Sequence, residues 1–202
     1  MDANKNIQQI TDYVQKKFST DAGGHDFYHM QRVAKLAKAI ACKEHADVFV
    51  TEAAAWLHDV GDHKLFPDPE RALEEMNQYL YTLDMAEEQI SLINQIIAEI
   101  SYSKGVRIPD SIEAKIVQDA DKLDAIGAVG IARTFAYGGS KGQLMYDSAY
   151  PENTSFQHFY DKLFNLKKMM HTTYAKQLAA ERHKFLEIFA KQFLHEWDTE
   201  QI

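Results

Sequence analysis

The stretch AAAWLHDVGD, residues 53–62, joins an apolar helical run to a His-Asp pair. Apolar residues recur at steps of three and four up to Leu57, so one face of this helix is predicted to be buried. Asp47 provides an N-cap at its start. The helix is expected to end near His58 and Asp59. Neighbours on a helix point about 100° apart, but at a helix end both side chains can approach one ion from adjacent quadrants.

The same helical spacing continues along the rest of the chain. No segment of useful length alternates apolar and polar residues as a half-buried strand does. Helices are predicted to begin near residue 27, at Asp47, at Asp68 with Pro69, at Asp84 and at Asp110. Residues 140–153 are predicted to form a loop that covers the site. Two long helices are expected from Thr154 onwards, divided at Thr172 or Thr173.

Length and composition point to one ordinary globular domain. The chain has 202 residues, of which 46% are hydrophobic, and this is enough for a buried core. We expect an all-α fold, a bundle of about nine helices. The single domain 1–202 would have a core at about 20–140 and a C-terminal extension with two long helices at about 154–202.

Charge and cysteine content exclude several classes of protein. The net charge of −8 argues against binding to duplex nucleic acid, although a small anionic substrate stays open. Cys42 is the only cysteine of the sequence, so neither an intramolecular disulfide nor a cysteine-rich zinc site can form. No apolar run approaches the roughly 18 residues of a membrane span. We therefore expect a soluble, cytoplasmic protein that does not bind a membrane.

Further histidine and aspartate residues strengthen the prediction that the His-Asp pair binds a metal ion. His29 lies early in the preceding helix, and it would approach the pair if the two helices run antiparallel. The segment DADKLDAIG, which begins at Asp119, offers three carboxylates in an apolar setting, where uncompensated charge is costly to bury. Imidazole and carboxylate groups suit divalent transition metals. The alternative for these acids, for Asp119 in particular, is a solvent-facing helix cap.

The order and spacing of these residues resemble the H…HD…D pattern of the HD-domain metal-dependent phosphohydrolase superfamily. More narrowly, the chain resembles the small stand-alone bacterial hydrolases of the YpgQ/YedJ type. The resemblance spans most of residues 25–185. The matching segments are HDFYHMQRVAKLA, AAAWLHDVGDHKLF, VQDADKLDAIGAVGIARTFAYGG and HFYDKLFNLKKMM…AAERHKF.

The resemblance implies a set of metal ligands. They are His29, His58, Asp59 and Asp121. No histidine occurs between His63 and His158, the interval that supplies extra ligands in dinuclear relatives, so one divalent ion is expected. Mn²⁺ is the first choice, with Mg²⁺, Co²⁺, Fe²⁺, Ni²⁺ and Zn²⁺ as alternatives.

The resemblance also suggests residues that act on the substrate. Asp62 is the candidate general acid or base, with capping of the loop after Gly61 as its alternative. Position in the sequence, rather than the resemblance, gives the candidates for binding phosphate: Lys64 follows Asp62, Lys122 is adjacent to Asp121, and Arg32 lies one helical turn from His29. A solvent-facing salt bridge is the alternative for Arg32.

A further group is expected to support the ligands or line the pocket. This group comprises His25, Asp124, His158 and Lys162. Arg182 matches the family pattern together with His158 and Lys162. For these three residues of the C-terminal helices, substrate binding and helix locking both stay open.

The function implied is hydrolysis of a nucleotide. The resemblance favours cleavage of (deoxy)nucleoside triphosphates to monophosphate and pyrophosphate. A 5′-nucleotidase acting on (deoxy)nucleoside monophosphates and a non-catalytic nucleotide-binding or sensing module are the alternatives. The expected partner is a small nucleotide, and a homodimer is left open.

Overall fold

The computed structural model describes residues 2–18, 26–100 and 108–197, in which helices are joined by turns and loops. The helices are α1 (Ala3–Lys17), α2 (Phe27–Glu44), α3 (Val48–Leu57), α4 (Pro69–Leu80), α5 (Glu87–Ile100), α6 (Ile112–Asp124), α7 (Gly127–Ser140), α8 (Phe164–Leu166) and α9 (Thr173–Trp197). Within the described segments no β-strand forms, although an isolated bridge joins Leu144 and Thr154. The predicted all-α fold is confirmed.

The contacts divide the chain into two compact units, Met1–Ala120 and Asp121–Ile202. The division falls inside α6, so Asp121 continues without a break the helix whose preceding residue, Ala120, is fully buried. Within a helix, the backbone hydrogen bonds fix each residue relative to the one before it. The position of Asp121 therefore follows from α6. The prediction of one domain with a C-terminal extension stays a prediction.

Helix α3 lies at the centre of the first unit, in contact with α1, α2 and α5. Its three consecutive alanines, at positions 53–55, are fully buried. Small side chains allow neighbouring helices to approach closely, and close-packed interiors resist movement. The end of α3, which carries His58, is therefore held in place by the helices that pack closely around it.

Two of the four predicted N-caps are observed. Asp47 accepts a hydrogen bond from the N–H of Val50 at 3.0 Å, and Asp68 accepts one from the N–H of Arg71 at 3.0 Å. These are the residue type and spacing that the local sequence predicts.

The other two caps were predicted wrongly. Helix α5 begins at Glu87 rather than beside Asp84, and the N–H of Ala86, directly before the helix, donates to Gln89 Oε1 at 3.2 Å. Ser111 replaces Asp110 at the start of α6, where its Oγ accepts from the N–H of Ala114 at 3.2 Å.

Glu99 on α5 holds the start of α6. Its Oε2 accepts hydrogen bonds from the N–H of Asp110 at 3.1 Å and from the N–H and hydroxyl of Ser111, both at 3.3 Å. Burial works to raise the pKa of Glu99, but these bonds and one from Gln95 outweigh it, so the pKa lies below its ordinary value. The carboxylate thus joins α5 to the helix that carries Asp121.

The first of the two long C-terminal helices that were predicted is irregular in the structure. Helix α9 begins at Thr173, as expected, but a π-helical turn, α8 and a 3₁₀ turn occupy the segment Phe159–Met169 before it. The segment ends at Met170, whose backbone is extended with φ −75° and ψ 139°. Buried residues still recur at helical spacing along it, and this periodicity is what predicted a long helix.

Aromatic side chains pack the second unit. Phe156 stacks on Phe193 of α9 with ring centroids 4.7 Å apart, and Phe159 stacks on Phe189 at 5.8 Å. The predicted loop at 140–153 begins one residue later than expected, since Ser140 is the last residue of α7, and it ends in a short 3₁₀ turn. No helix among the described residues is long and apolar enough to cross a membrane.

We expect Glu99→Gln to lower the free energy of unfolding by about 1 kcal/mol at neutral pH, since a charged acceptor is replaced by a neutral one. Because folding lowers the pKa of Glu99, its charge stabilises the fold above the unfolded-state pKa. This stability is lost as the pH falls through the folded-state pKa. The difference between variant and wild type should therefore shrink in acid. Urea unfolding at neutral pH and at a pH below the folded-state pKa of Glu99 measures this difference, with the exposed Glu74→Gln as control. An equal difference at the two pH values would contradict the stabilising role of the Glu99 charge.

Candidate metal centre

His29 is fixed in the first turn of α2. Asp26 caps this helix, and its Oδ1 accepts a hydrogen bond from the N–H of His29 at 2.8 Å. The histidine is fully buried. The predicted position of His29, early in a helix that precedes the His-Asp pair, is confirmed.

His58 lies at the C-terminal end of α3, where helix carbonyls lack intrahelical partners. Its Nδ1 lies 2.9 Å from the carbonyl oxygen of Ala55. A carbonyl oxygen can only accept, so Nδ1 must carry the hydrogen. In the neutral ring the lone pair is then on Nε2, the form in which imidazole binds a metal.

Asp59 faces both imidazole rings. Its Oδ1 lies 3.4 Å from His58 Nε2, and its Oδ2 lies 3.7 Å from His29 Nε2. The two rings meet edge to face, with centroids 5.3 Å apart. Both nitrogen–oxygen distances exceed the roughly 3.2 Å limit of a good hydrogen bond. The three side chains thus surround a common region.

Asp121 completes the group. One ligand atom from each of His29, His58 and Asp121 lies within 4.8 Å of the other two. Atoms gathered within this distance could hold one divalent cation, whose ligands at about 2.1 Å lie about 3 to 4 Å from one another, if the side chains move slightly inwards. Asp59 is not part of this triplet, although its oxygens face both histidines. Two imidazoles with carboxylates suit several divalent metals.

Asp119, on the same helix, is fully buried. The alternative that it caps a helix towards solvent is therefore wrong. Asp124 is 2% exposed and forms an ion pair of 2.7 Å with Arg133 Nη1 on α7. Sequence reasoning did not single out Arg133, because nothing in its local pattern marks it as the partner of an acid nine residues earlier.

Asp62 caps a turn. Its Oδ1 accepts a hydrogen bond from the N–H of Lys64 at 2.7 Å. Gly61 allows this turn, since its φ is +85° and a Cβ there would lie 2.7 Å from Leu73 Cγ. The capping alternative is thus observed, and a role for Asp62 in proton transfer stays a prediction.

The three phosphate-binding candidates occupy different environments. Lys64 is exposed and Arg32 is half-buried. Lys122 is 5% exposed, and its ammonium donates a hydrogen bond to the carbonyl of Met169 at 3.1 Å and lies 3.4 Å from His171 Nε2. These contacts give Lys122 a structural role, which the sequence did not suggest.

The remaining candidates for the pocket are His25, His158 and Lys162. His25 lies outside the described residues. His158 is half-buried, and burial together with the charge of Lys162 lowers its pKa against the opposing effect of Asp161. Lys162 is exposed. A role for either in the pocket stays a prediction.

Comparison with known proteins identifies the family. A family model described as HD domain matches residues 26–126. The Bacillus subtilis (strain 168) protein YpgQ is 43% identical over 192 residues, which cover 93% of this chain and 92% of YpgQ.

Solved structures agree with this match. The crystal structure of B. subtilis YpgQ in complex with ADP superposes with a TM-score of 0.83 at 39% identity, covering 96% of this chain and 98% of that one. An HD-superfamily hydrolase from Bacillus thuringiensis superposes with a TM-score of 0.83 at 42% identity, covering 98% and 99%. The chain therefore belongs to the HD-domain family and is an HD-superfamily hydrolase.

Proposed function

We propose that this protein is a metal-dependent phosphohydrolase that cleaves (deoxy)nucleoside triphosphates to the monophosphate and pyrophosphate. The observation that carries the proposal is the convergence of His29, His58 and Asp121 within 4.8 Å. The ADP complex of the related B. subtilis YpgQ supports a nucleotide as the substrate class.

The residues that would hold the metal are His29, His58, Asp59 and Asp121. The hydrogen bond from His58 to Ala55 supports this set, because it leaves Nε2 as the coordinating atom. When bound, one divalent ion, Mn²⁺ by preference, supplies Lewis-acid chemistry that offsets phosphate charge and acidifies water. The protein's own contribution is to hold the donor atoms in place before the substrate arrives.

The proposed roles of the other residues follow from their accessibility. Lys64 and Arg32 bind the phosphates as cations that a substrate can reach. Asp62 holds or transfers the proton at its carboxylate, on the turn that Gly61 allows. Lys122 is 5% exposed and already donates to the Met169 carbonyl, so we propose that Lys64 and Arg32 contribute more to phosphate binding than Lys122 does. His25, His158 and Lys162 are proposed to line the pocket.

Product analysis tests the reaction. We expect Mn²⁺-loaded protein to convert nucleoside triphosphates to monophosphate and pyrophosphate, observed by ³¹P NMR. Orthophosphate released from monophosphates would instead identify a 5′-nucleotidase. Binding of nucleotides without any product would identify a sensing module.

Metal analysis tests the ligands. We expect Asp121→Ala and His58→Ala to weaken Mn²⁺ binding by at least about tenfold, because each removes one of the donor atoms that converge. Isothermal titration without nucleotide measures the affinity, and the exposed Asp12→Ala serves as control. Full Mn²⁺ binding by Asp121→Ala would show that its carboxylate is not a ligand.

Two substitutions separate the roles of Asp62. Asp62→Asn keeps an oxygen that can accept from the N–H of Lys64, so the turn should persist while proton transfer is lost. We expect kcat to fall by about 10²–10⁴-fold, with little change in KM or Tm. Asp62→Ala should lower the Tm as well. If Asp62→Asn retains wild-type kcat across the pH range, Asp62 only caps the turn.

A further inference from the structure

Helix α6 ends within one turn of Asp121, and Arg182 on α9 contacts that end. The Arg182 guanidinium donates a hydrogen bond through Nη1 to the carbonyl of Leu123. The same carbonyl accepts from the N–H of Ile126 at 3.2 Å. Carbonyls in the last turn of a helix lack intrahelical donors and carry partial negative charge, so a cation there is favourable.

The stem of Arg182 is also held in place. Gly127, which follows α6, has φ +80°, and a Cβ on it would lie 3.1 Å from Arg182 Cγ and 3.3 Å from its Cβ. A side chain at position 127 would therefore be strained and would press against the arginine stem. The absence of a side chain at Gly127 thus makes room for Arg182.

Charge reinforces the contact. Burial lowers the pKa of Arg182, and the charge of Asp124 opposes this effect. Asp124 itself is paired with Arg133. Two arginines thus act on the end of α6, but on different groups: Arg133 binds a side chain, whereas Arg182 binds the backbone.

The position of Asp121 makes the backbone contact important. Asp121 lies three residues before the last residue of α6, Asp124. Terminal turns fray more readily than helix interiors. If this turn loosened, the carboxylate of Asp121 would move relative to the two histidines, whereas His29 and His58 would stay on α2 and α3.

We propose that Arg182 is a positioning residue: by binding the Leu123 carbonyl it fixes the last turn of α6 and so orients the Asp121 carboxylate towards the metal. The proposal rests on the proposed metal-binding function. It assigns Arg182 no contact with the substrate. Its effect should therefore be visible with the metal alone.

The test measures Mn²⁺ binding to nucleotide-free protein by isothermal titration, together with the visible absorption spectrum of the Co²⁺-loaded form. Arg182→Gln should bind Mn²⁺ about 10- to 100-fold more weakly and show an altered Co²⁺ spectrum. Arg182→Lys keeps the charge and one donor, so its affinity should be intermediate. Arg133→Gln is the matched control. It should lower the Tm, as Arg182→Gln does, yet keep Mn²⁺ affinity within about threefold, because the backbone contact persists.

Wild-type Mn²⁺ affinity and an unchanged Co²⁺ spectrum in Arg182→Gln would overturn the proposal, as would equal weakening in Arg133→Gln. Should Arg182→Gln fail to fold, Arg182→Lys decides, and wild-type affinity there overturns it. Wild-type protein that binds Mn²⁺ but hydrolyses no nucleotide overturns the proposed function and leaves this inference standing. Wild-type protein that binds no Mn²⁺ overturns both.

Discussion

The hydrogen bond from His58 Nδ1 to the Ala55 carbonyl, 2.9 Å long, orients a histidine of the candidate metal centre against the helix that carries it. It supplies a donor to a carbonyl in the last turn of α3 that has no N–H partner within the helix. In the neutral ring it also leaves the lone pair on Nε2, which lies 3.4 Å from Asp59. Because α3 is buried against three other helices, the orientation of the ring depends on the core of the first unit. The orientation of His58 in the candidate metal centre is therefore a consequence of how α3 ends.

Helix α6 is held at each end by a contact from a distant part of the chain. Glu99 binds the backbone at its start, and Arg182 binds the backbone at its end. Both contacts are made by charged side chains to main-chain groups that a helix leaves without partners. A ligand on such a helix is presented from a fixed backbone, which limits how far its carboxylate can move. Asp121 is in this respect comparable to His58, although it lies near a unit boundary.

Local patterns predicted the parts of this arrangement that depend on local physics. Apolar spacing and the caps at Asp47 and Asp68 were predicted correctly, because a capping side chain and the N–H that donates to it lie within three residues. The contacts of Glu99 with Ser111 and of Arg182 with Leu123 join residues 12 and 59 positions apart. No local pattern marks such pairs. The convergence of His29 and His58 could be predicted because two consecutive helices joined by a short connection tend to run antiparallel.

Lys122 shows that adjacency in sequence does not reveal which groups a side chain contacts. It follows Asp121 directly, and on that basis it was expected to bind phosphate near the metal. Successive side chains on a helix diverge by about 100°, however, and Lys122 contacts the Met169 carbonyl instead. Arg32 follows His29 by three residues on α2, and residues at this spacing share a helix face. The same helical geometry that directs the side chains of Lys122 and Asp121 apart therefore places Arg32 and His29 on one face of α2.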